Sequence, residues 1–358
     1  MWLLIGGFIC GFLAGAAARY GRLCTMTAIE EALIAGDFRP AKAWGLALSV
    51  AMLSTQGVAR LLDLDLASSV YTTGVIDLGG ALIGGALFGL GMALVGTCSF
   101  GLLVRAGSGD LRALVSAVVV GIAAFAFLGG MLAPVRAAVT GLLVFDANAH
   151  GGPLLPGITQ KLLGQTLTLH QIAWPLSIAA VLLGLAALDR RLRRRPRLLI
   201  SAAGLGVTIA AGWAATGMAV HAFETTRLES LSFVAPVGRL LLQVMTEGLR
   251  EVGFGVASVF GVVSGALLAA LFKGDARLEA FDDAREMRRH LLGAVLMGCG
   301  GVLARGCTIG QGMSAASALA ITAPLVILGV VVGARIGLMI LLDGDRFWRR
   351  STTTRGTP

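Results

Sequence analysis

The chain has 358 residues, 56% of them hydrophobic and only 14% charged, with mean hydropathy +0.84 and a formal net charge of +9. Soluble domains carry about 25% charged residues, so this composition excludes a large soluble enzyme and points to a polytopic membrane protein. The excess of Lys and Arg suits a positive-inside topology and anionic lipid, and it is compatible with an anionic solute.

In chain order, the first expected span covers about Trp2 to Ala18. It lacks a basic leader and an A-x-A cleavage site, so it reads as a retained helix and not a signal peptide. Arg19 and Arg22 follow, then Cys24, and Thr27 with Glu30 resembles a capping box opening a short amphipathic helix. A second span runs from about Ala43 to Leu62 and meets the acidic Asp63 and Asp65. A third, about Leu78 to Val104, is followed by a turn at Arg105 to Arg112, and a fourth covers about Ala113 to Ala133. Residues 134–168 are the longest polar-leaning stretch, with turn chemistry at Asn148 to Pro153. The fifth span, about Ile172 to Leu188, ends in the Arg-rich run 189–197, a cytoplasmic marker and not a nucleic-acid patch. Spans at about Leu199 to Ala219 and Gly253 to Phe272 follow, separated by an amphipathic stretch. Two more lie at about Leu291 to Leu319 and Ala323 to Leu342. Glu30, Glu31, Glu247, Arg250 and Glu251 read as interfacial helix charges.

Within this order one pattern occurs twice. Gly89-Leu-Gly-Met-Ala-Leu-Val-Gly-Thr-Cys-Ser-Phe-Gly101 returns, shifted by 209 residues, as Gly298-Cys-Gly-Gly-Val-Leu-Ala-Arg-Gly-Cys-Thr-Ile-Gly310. Both copies fit G-x-G-x6-C-x2-G, and Gly84 matches Gly293 upstream. Placing the Arg-rich run in the cytoplasm and counting outward puts the N-terminus outside and the C-terminus inside, provided each Gly-Cys segment crosses once. That count gives nine spans. The expected fold is therefore an all-α polytopic membrane protein of two inverted repeats, residues 1–133 and 199–343. Residues 134–198 form a linker holding span five, and 344–358 a cytoplasmic tail. Inverted repeats place solute sites near the midplane, often on broken helices.

Glycines flanking a Cys inside a span should break the helix, and irregular backbone at that depth must line a cavity or be buried in protein. The same glycines also suit plain helix packing. Broken ends expose N–H groups that suit an anion, with Ser99 and Thr308 as natural caps for the restarting helices. Gly96 and Gly306 fall at the breaks. A thiol is a weak donor and a polarisable neighbour for another sulfur. Cys98 and Cys307 are candidates because the repeat places them equivalently, whereas Cys10 and Cys299 read as small hydrophobes. Arg305 marks a path or a partner in the membrane, or snorkels to the interface. Gln311, four residues beyond Cys307, is a neutral donor on the same helix face. The four His show no metal spacing, and no HExxH, P-loop or Rossmann pattern occurs, so neither an enzyme nor a cofactor is expected.

These residues resemble the YeeE/YedE family of sulfur-compound transporters, over the whole chain. The resemblance implies an hourglass-like protein that imports thiosulfate across a bacterial inner membrane. It maps the family's functional cysteines onto Cys24, Cys98 and Cys307, which hand the anion along by S–H hydrogen bonds. It also implies a small cytoplasmic TusA-like sulfurtransferase as partner, besides the lipid bilayer, and leaves selenium species open as solutes. The competing readings are a membrane thiol-disulfide oxidoreductase, which should carry a C-x-x-C pair or a quinone site, and a pore for another small solute.

Overall fold

Fifty-one glycines in a chain this apolar allow helices to pack backbone against backbone, and the fold is built on that. The computed structural model describes residues 2–72, 74–141, 143–164, 167–223, 227–246 and 252–353. Glu247, Arg250 and Glu251 lie outside the described residues. The helices are α1 (Trp2–Gly21), α2 (Thr25–Glu30), α3 (Arg39–Leu61), α4 (Leu78–Val95), α5 (Ser99–Gly107), α6 (Leu111–Leu128), α7 (Ala133–Thr140), α8 (Leu155–Leu163), α9 (Leu167–Ala187), α10 (Arg190–Arg193), α11 (Pro196–Phe223), α12 (Ala235–Thr246), α13 (Phe254–Lys273), α14 (Ala284–Leu303) and α15 (Thr322–Thr353). Wide π-helical turns cover Glu31–Ala35 and Gly310–Ala315.

The protein is an all-α polytopic membrane protein. Among the described residues, seven helical stretches are long and apolar enough to cross a bilayer. Two long helices fall outside that seven. α3 is diluted by Ser49, Ser54, Thr55 and Gln56, and α14 carries Arg285, Glu286, Arg288 and Arg289 in its first two turns. The hydroxyl and amide groups that dilute α3 are paired internally. Thr55 Oγ1 and Trp213 Nε1 both donate to Ser317 Oγ at 3.2 Å, Gln56 Nε2 donates to Ser317 O at 3.2 Å, and Ser317 Oγ donates to Ser314 O at 2.8 Å. Unpaired, each such group would cost several kcal/mol in lipid, roughly.

Helix directions follow from the glycine contacts. Gly7, Gly11 and Gly15 of α1 lie against Phe254, Ser258 and Val262 of α13, so these two run parallel. Gly206 of α11 lies against Ala47 and Ala51 of α3, and Gly217 against Leu64, again parallel. Gly6 meets Ala215 and Gly21 meets Ser201, so α1 and α11 are antiparallel. α4 and α14, which carry the two motif copies, also cross antiparallel. A Cβ on Gly84 would stand 2.8 Å from Gly300 O, one on Gly300 would stand 2.6 Å from Gly84 O, and Gly91 and Gly293 face each other in the same way. The 209-residue shift exchanges these two pairs.

The segment between residues 134 and 164 is more ordered than its turn residues suggest. β2 (Val144–Asp146) pairs antiparallel with β1 (Val75–Asp77), and Leu155 N donates to Leu319 O at 3.0 Å, tying this strap to the start of α15. The ribbon and these bonds pair backbone groups that no long helix satisfies. On the opposite face Lys42 pairs with Asp189 at 2.8 Å, holding α3 to the end of α9, and lowers the Asp189 pKa. Arg112 gathers Asp110, Glu279 and Glu286 on that same face.

Candidate functional site

Three cysteines sit on the same local turn. α1 closes with Arg22 in the left-handed region at φ +54° and Leu23 N donating to Ala18 O at 3.0 Å. α14 closes with Arg305 at φ +55° and Gly306 N donating to Gly301 O at 2.8 Å. α4 closes with Gly96 at φ +81°. Such i-to-i−5 closures normally place Gly in the left-handed position, and an L-residue there costs about 1 kcal/mol. In each case the cysteine follows two residues later, and a hydroxyl residue follows the cysteine: Cys24-Thr25, Cys98-Ser99 and Cys307-Thr308. The helix break expected in both motifs is present, but it falls at Gly96 in one and at Arg305, not at Gly306, in the other.

The cysteines themselves do the capping. Cys98 is the N-cap of α5, its Sγ accepting from Gly101 N at 3.5 Å, and Cys307 Sγ accepts from Gly310 N at 3.4 Å. Ser99 and Thr308, expected as caps, do not fill that role. Both hydroxyls are buried; that of Ser99 makes no hydrogen bond, and that of Thr308 faces the Cys98 thiol. The cause is register: in the first copy the extended position falls at Cys98, so Ser99 is carried into α5, and in the second Thr308 lies in the turn that leads to Gly310. Likewise α2 starts at Thr25 behind Cys24 as N-cap, with no side-chain cap bond, so Thr27 does not head a capping box.

Cys24 and Cys98 are joined by reciprocal thiol–hydroxyl contacts. Cys24 Sγ lies 3.7 Å from Thr97 Oγ1, and Cys98 Sγ lies 3.9 Å from Thr25 Oγ1. Cys98 also neighbours Thr308 and lies within interaction range of both Cys24 and Cys307. A cavity of about 390 Å³ is walled by Thr25, Cys307 and Thr308 together with apolar residues that include Trp44 and Met313. Phe100 and Phe233 stack at 5.0 Å behind Ser99, both fully buried. The five cysteines are all free thiols; Cys10 is buried inside α1 and Cys299 lies within α14.

Arg305 is exposed, in a small recess shared with Asp77, Gln311 and Thr322. The Gln311 amide is already engaged: Nε2 donates to Arg305 O at 3.4 Å, and Oε1 accepts from Thr322 Oγ1 at 3.3 Å. Gln311 N donates to Cys307 O at 2.8 Å, which gives the expected one-turn spacing, and its side chain braces the turn at Arg305. On the other side of the cysteines Cys24 lines a basin of about 1000 Å³ with Arg22, Arg194, Arg195, Arg197 and Lys273. Thr25, Thr97, Arg22 and Phe233 escape a reading by repeat alone. The visible signal for Thr25 was the hydroxyl after Cys24, matching Ser99 and Thr308.

Chemically this is a group of weak neutral donors with the basic basin on one side and the small recess of Arg305 and Asp77 on the other. Sulfur is a poor acceptor, so the Gly101 and Gly310 N–H groups can leave their thiols for the oxygens of an anion. The nine-residue α5 adds its N-terminal dipole at the same point. The family described as sulphur transport matches residues 20–336 of the chain. Among curated proteins, the thiosulfate transporter TsuA of Escherichia coli (strain K12) is 25% identical over 337 residues, covering 87% of each chain.

Proposed function

We propose that this chain, which belongs to the sulphur transport family, takes up thiosulfate across the bacterial inner membrane through a path lined by Cys24, Cys98 and Cys307. The observation that carries the reading is the repeated turn: three cysteines, each two residues past a left-handed residue and each followed by a hydroxyl, gather around Cys98. The similarity to a thiosulfate transporter supports the choice of solute.

In this reading the anion enters beside Arg305 and passes Cys307, Cys98 and Cys24 in turn. Each thiol donates an S–H hydrogen bond to the soft terminal sulfur, while N–H groups and the Ser99 and Thr308 hydroxyls meet the oxygens. No covalent bond forms. Neutral donors bind the dianion firmly enough to enter and weakly enough to leave, as conduction through several sites requires. Sulfate, without the soft sulfur, is the poorer solute. Residues 1–133 and 199–343 act as two inverted repeats, and the antiparallel α1/α11 and α4/α14 pairs support that division. Residues 134–198 connect the repeats, and 344–358 form the tail. The basic basin faces the cytoplasm, the N-terminus lies outside, and an expected TusA-like sulfurtransferase would act on the solute after release there.

The test is uptake of labelled thiosulfate in cells lacking other sulfur importers. Cys98→Ala and Cys307→Ala should each abolish uptake at normal expression. Full uptake by both variants would exclude the relay, and preferential uptake of a selenium oxyanion would change the solute.

A further inference from the structure

Arg22 and Arg305 hold one backbone geometry and line separate recesses. Each is left-handed, at φ +54° and +55°, and each precedes a path cysteine by two residues. The middle cysteine has Gly96 in that place. Glycine is the residue this backbone favours, so the two arginines hold positions that folding alone would assign to glycine. A fixed cation beside Cys98 would trap a dianion midway, whereas cations at the ends would gather it.

Around Arg22 the charge is not balanced. Arg194, Arg195 and Arg197 come from the turn between α10 and α11, and Lys273 ends α13. None of the four guanidiniums forms an ion pair among the described residues. Lys273 is occupied, donating to Arg19 O at 3.3 Å and Tyr20 O at 2.8 Å, which ties α13 to the end of α1. Glu31 and Asp275 are the carboxylates that line the same basin. Cys24, half-buried, opens onto it.

We propose that this basin is a binding site for a small oxyanion dianion, held by Arg22 with Arg194, Arg195 and Arg197, and that Arg22 positions the anion against the Cys24 thiol. The inference rests on the proposed function only in taking the bound anion to be the transported one. The basin is far larger than one such anion, so the anion sits there with part of its water. Oriented guanidinium forks suit oxyanion recognition.

The probe is protection of Cys24 from alkylation by a neutral maleimide. It is followed by mass spectrometry on the purified full chain in neutral detergent, with thiosulfate or sulfate added. Both anions should slow Cys24 labelling, and less so as ionic strength rises. Arg22→Gly, which keeps the left-handed turn that Gly96 adopts, should raise the protecting concentration on the order of threefold to tenfold. Arg22→Lys should largely restore it. Each variant is referred to its own rate without anion, and its melting temperature reports the fold. Equal protection in wild type, Arg22→Gly and a triple Arg194/Arg195/Arg197→Gln variant would overturn the site. So would protection that disappears when a small fraction of phosphatidylglycerol is added, which would assign the basin to a lipid headgroup. Protection that persists in a chain unable to take up thiosulfate in cells would uphold the site while removing the proposed transport.

Discussion

Gly96 and Arg305 hold the same left-handed turn 209 residues apart, at φ +81° and +55°. The shared turn places Cys98 and Cys307 alike, yet only one copy uses the residue the backbone prefers. Arg305 therefore carries a conformational cost of about 1 kcal/mol that Gly96 avoids. Gly96→Ala should lower stability by roughly that amount, read as a fall in melting temperature in detergent. Arg305→Gly should leave the melting temperature unchanged or raised while uptake at low thiosulfate falls. A destabilised Arg305→Gly with unimpaired uptake would make Arg305 a structural residue.

Ser99 carries a buried hydroxyl without a hydrogen bond, whereas the buried Thr308 hydroxyl faces the Cys98 thiol. A buried polar group left unsatisfied costs about 1–3 kcal/mol. Ser99→Ala should therefore not destabilise the fold, and both Ser99→Ala and Thr308→Val should cut uptake. The paired readings of melting temperature and uptake decide it. A clear loss of stability in both variants would mean that the hydroxyls serve packing.

The contacts of Cys24 with Thr97 and of Cys98 with Thr25 make a prediction about order of reaction. A neutral maleimide added to the purified protein should label Cys24 first, because it is half-buried beside the basin. Cys98 and Cys307, each 1% exposed, should react far more slowly. Thr25→Val, close to isosteric, should speed labelling of Cys98 and lower uptake. An unchanged labelling order and unchanged uptake would leave the hydroxyl contacts without a role.

The crossing of α4 and α14 depends on close backbone approach at Gly84, Gly91, Gly293 and Gly300. Gly91→Val or Gly300→Val should abolish recovery of monodisperse protein, since the side chain would overlap backbone and overpacking costs at least about 1–3 kcal/mol. Gly57→Ala and Gly184→Ala, where an added Cβ meets nothing within 4 Å, should be recovered normally. Size-exclusion profiles separate the two groups.

Much of this was legible in the chain because the bilayer constrains sequence so strongly. Apolar runs of the required length gave the helical membrane class, and the two Gly-Cys copies located Cys98 and Cys307. The span at α3 was legible too, as the run from about Ala43 to Leu62, although the hydroxyls that dilute it find partners only in the folded protein. The sequence by itself determined that a helix breaks beside Cys98 and another beside Cys307; that the second break turns on Arg305 and not on Gly306 was decided by the folded backbone. Only the tertiary structure decided which atoms the breaks present. The turn register made the thiols caps and left the Ser99 hydroxyl without a hydrogen bond, and packing turned the Gln311 amide toward Arg305 O and Thr322. Folding also brought Arg22 together with an arginine cluster more than 170 residues away. Local spacing carries backbone conformation, but a side chain's partners are set by helices that meet across the membrane from distant parts of the chain.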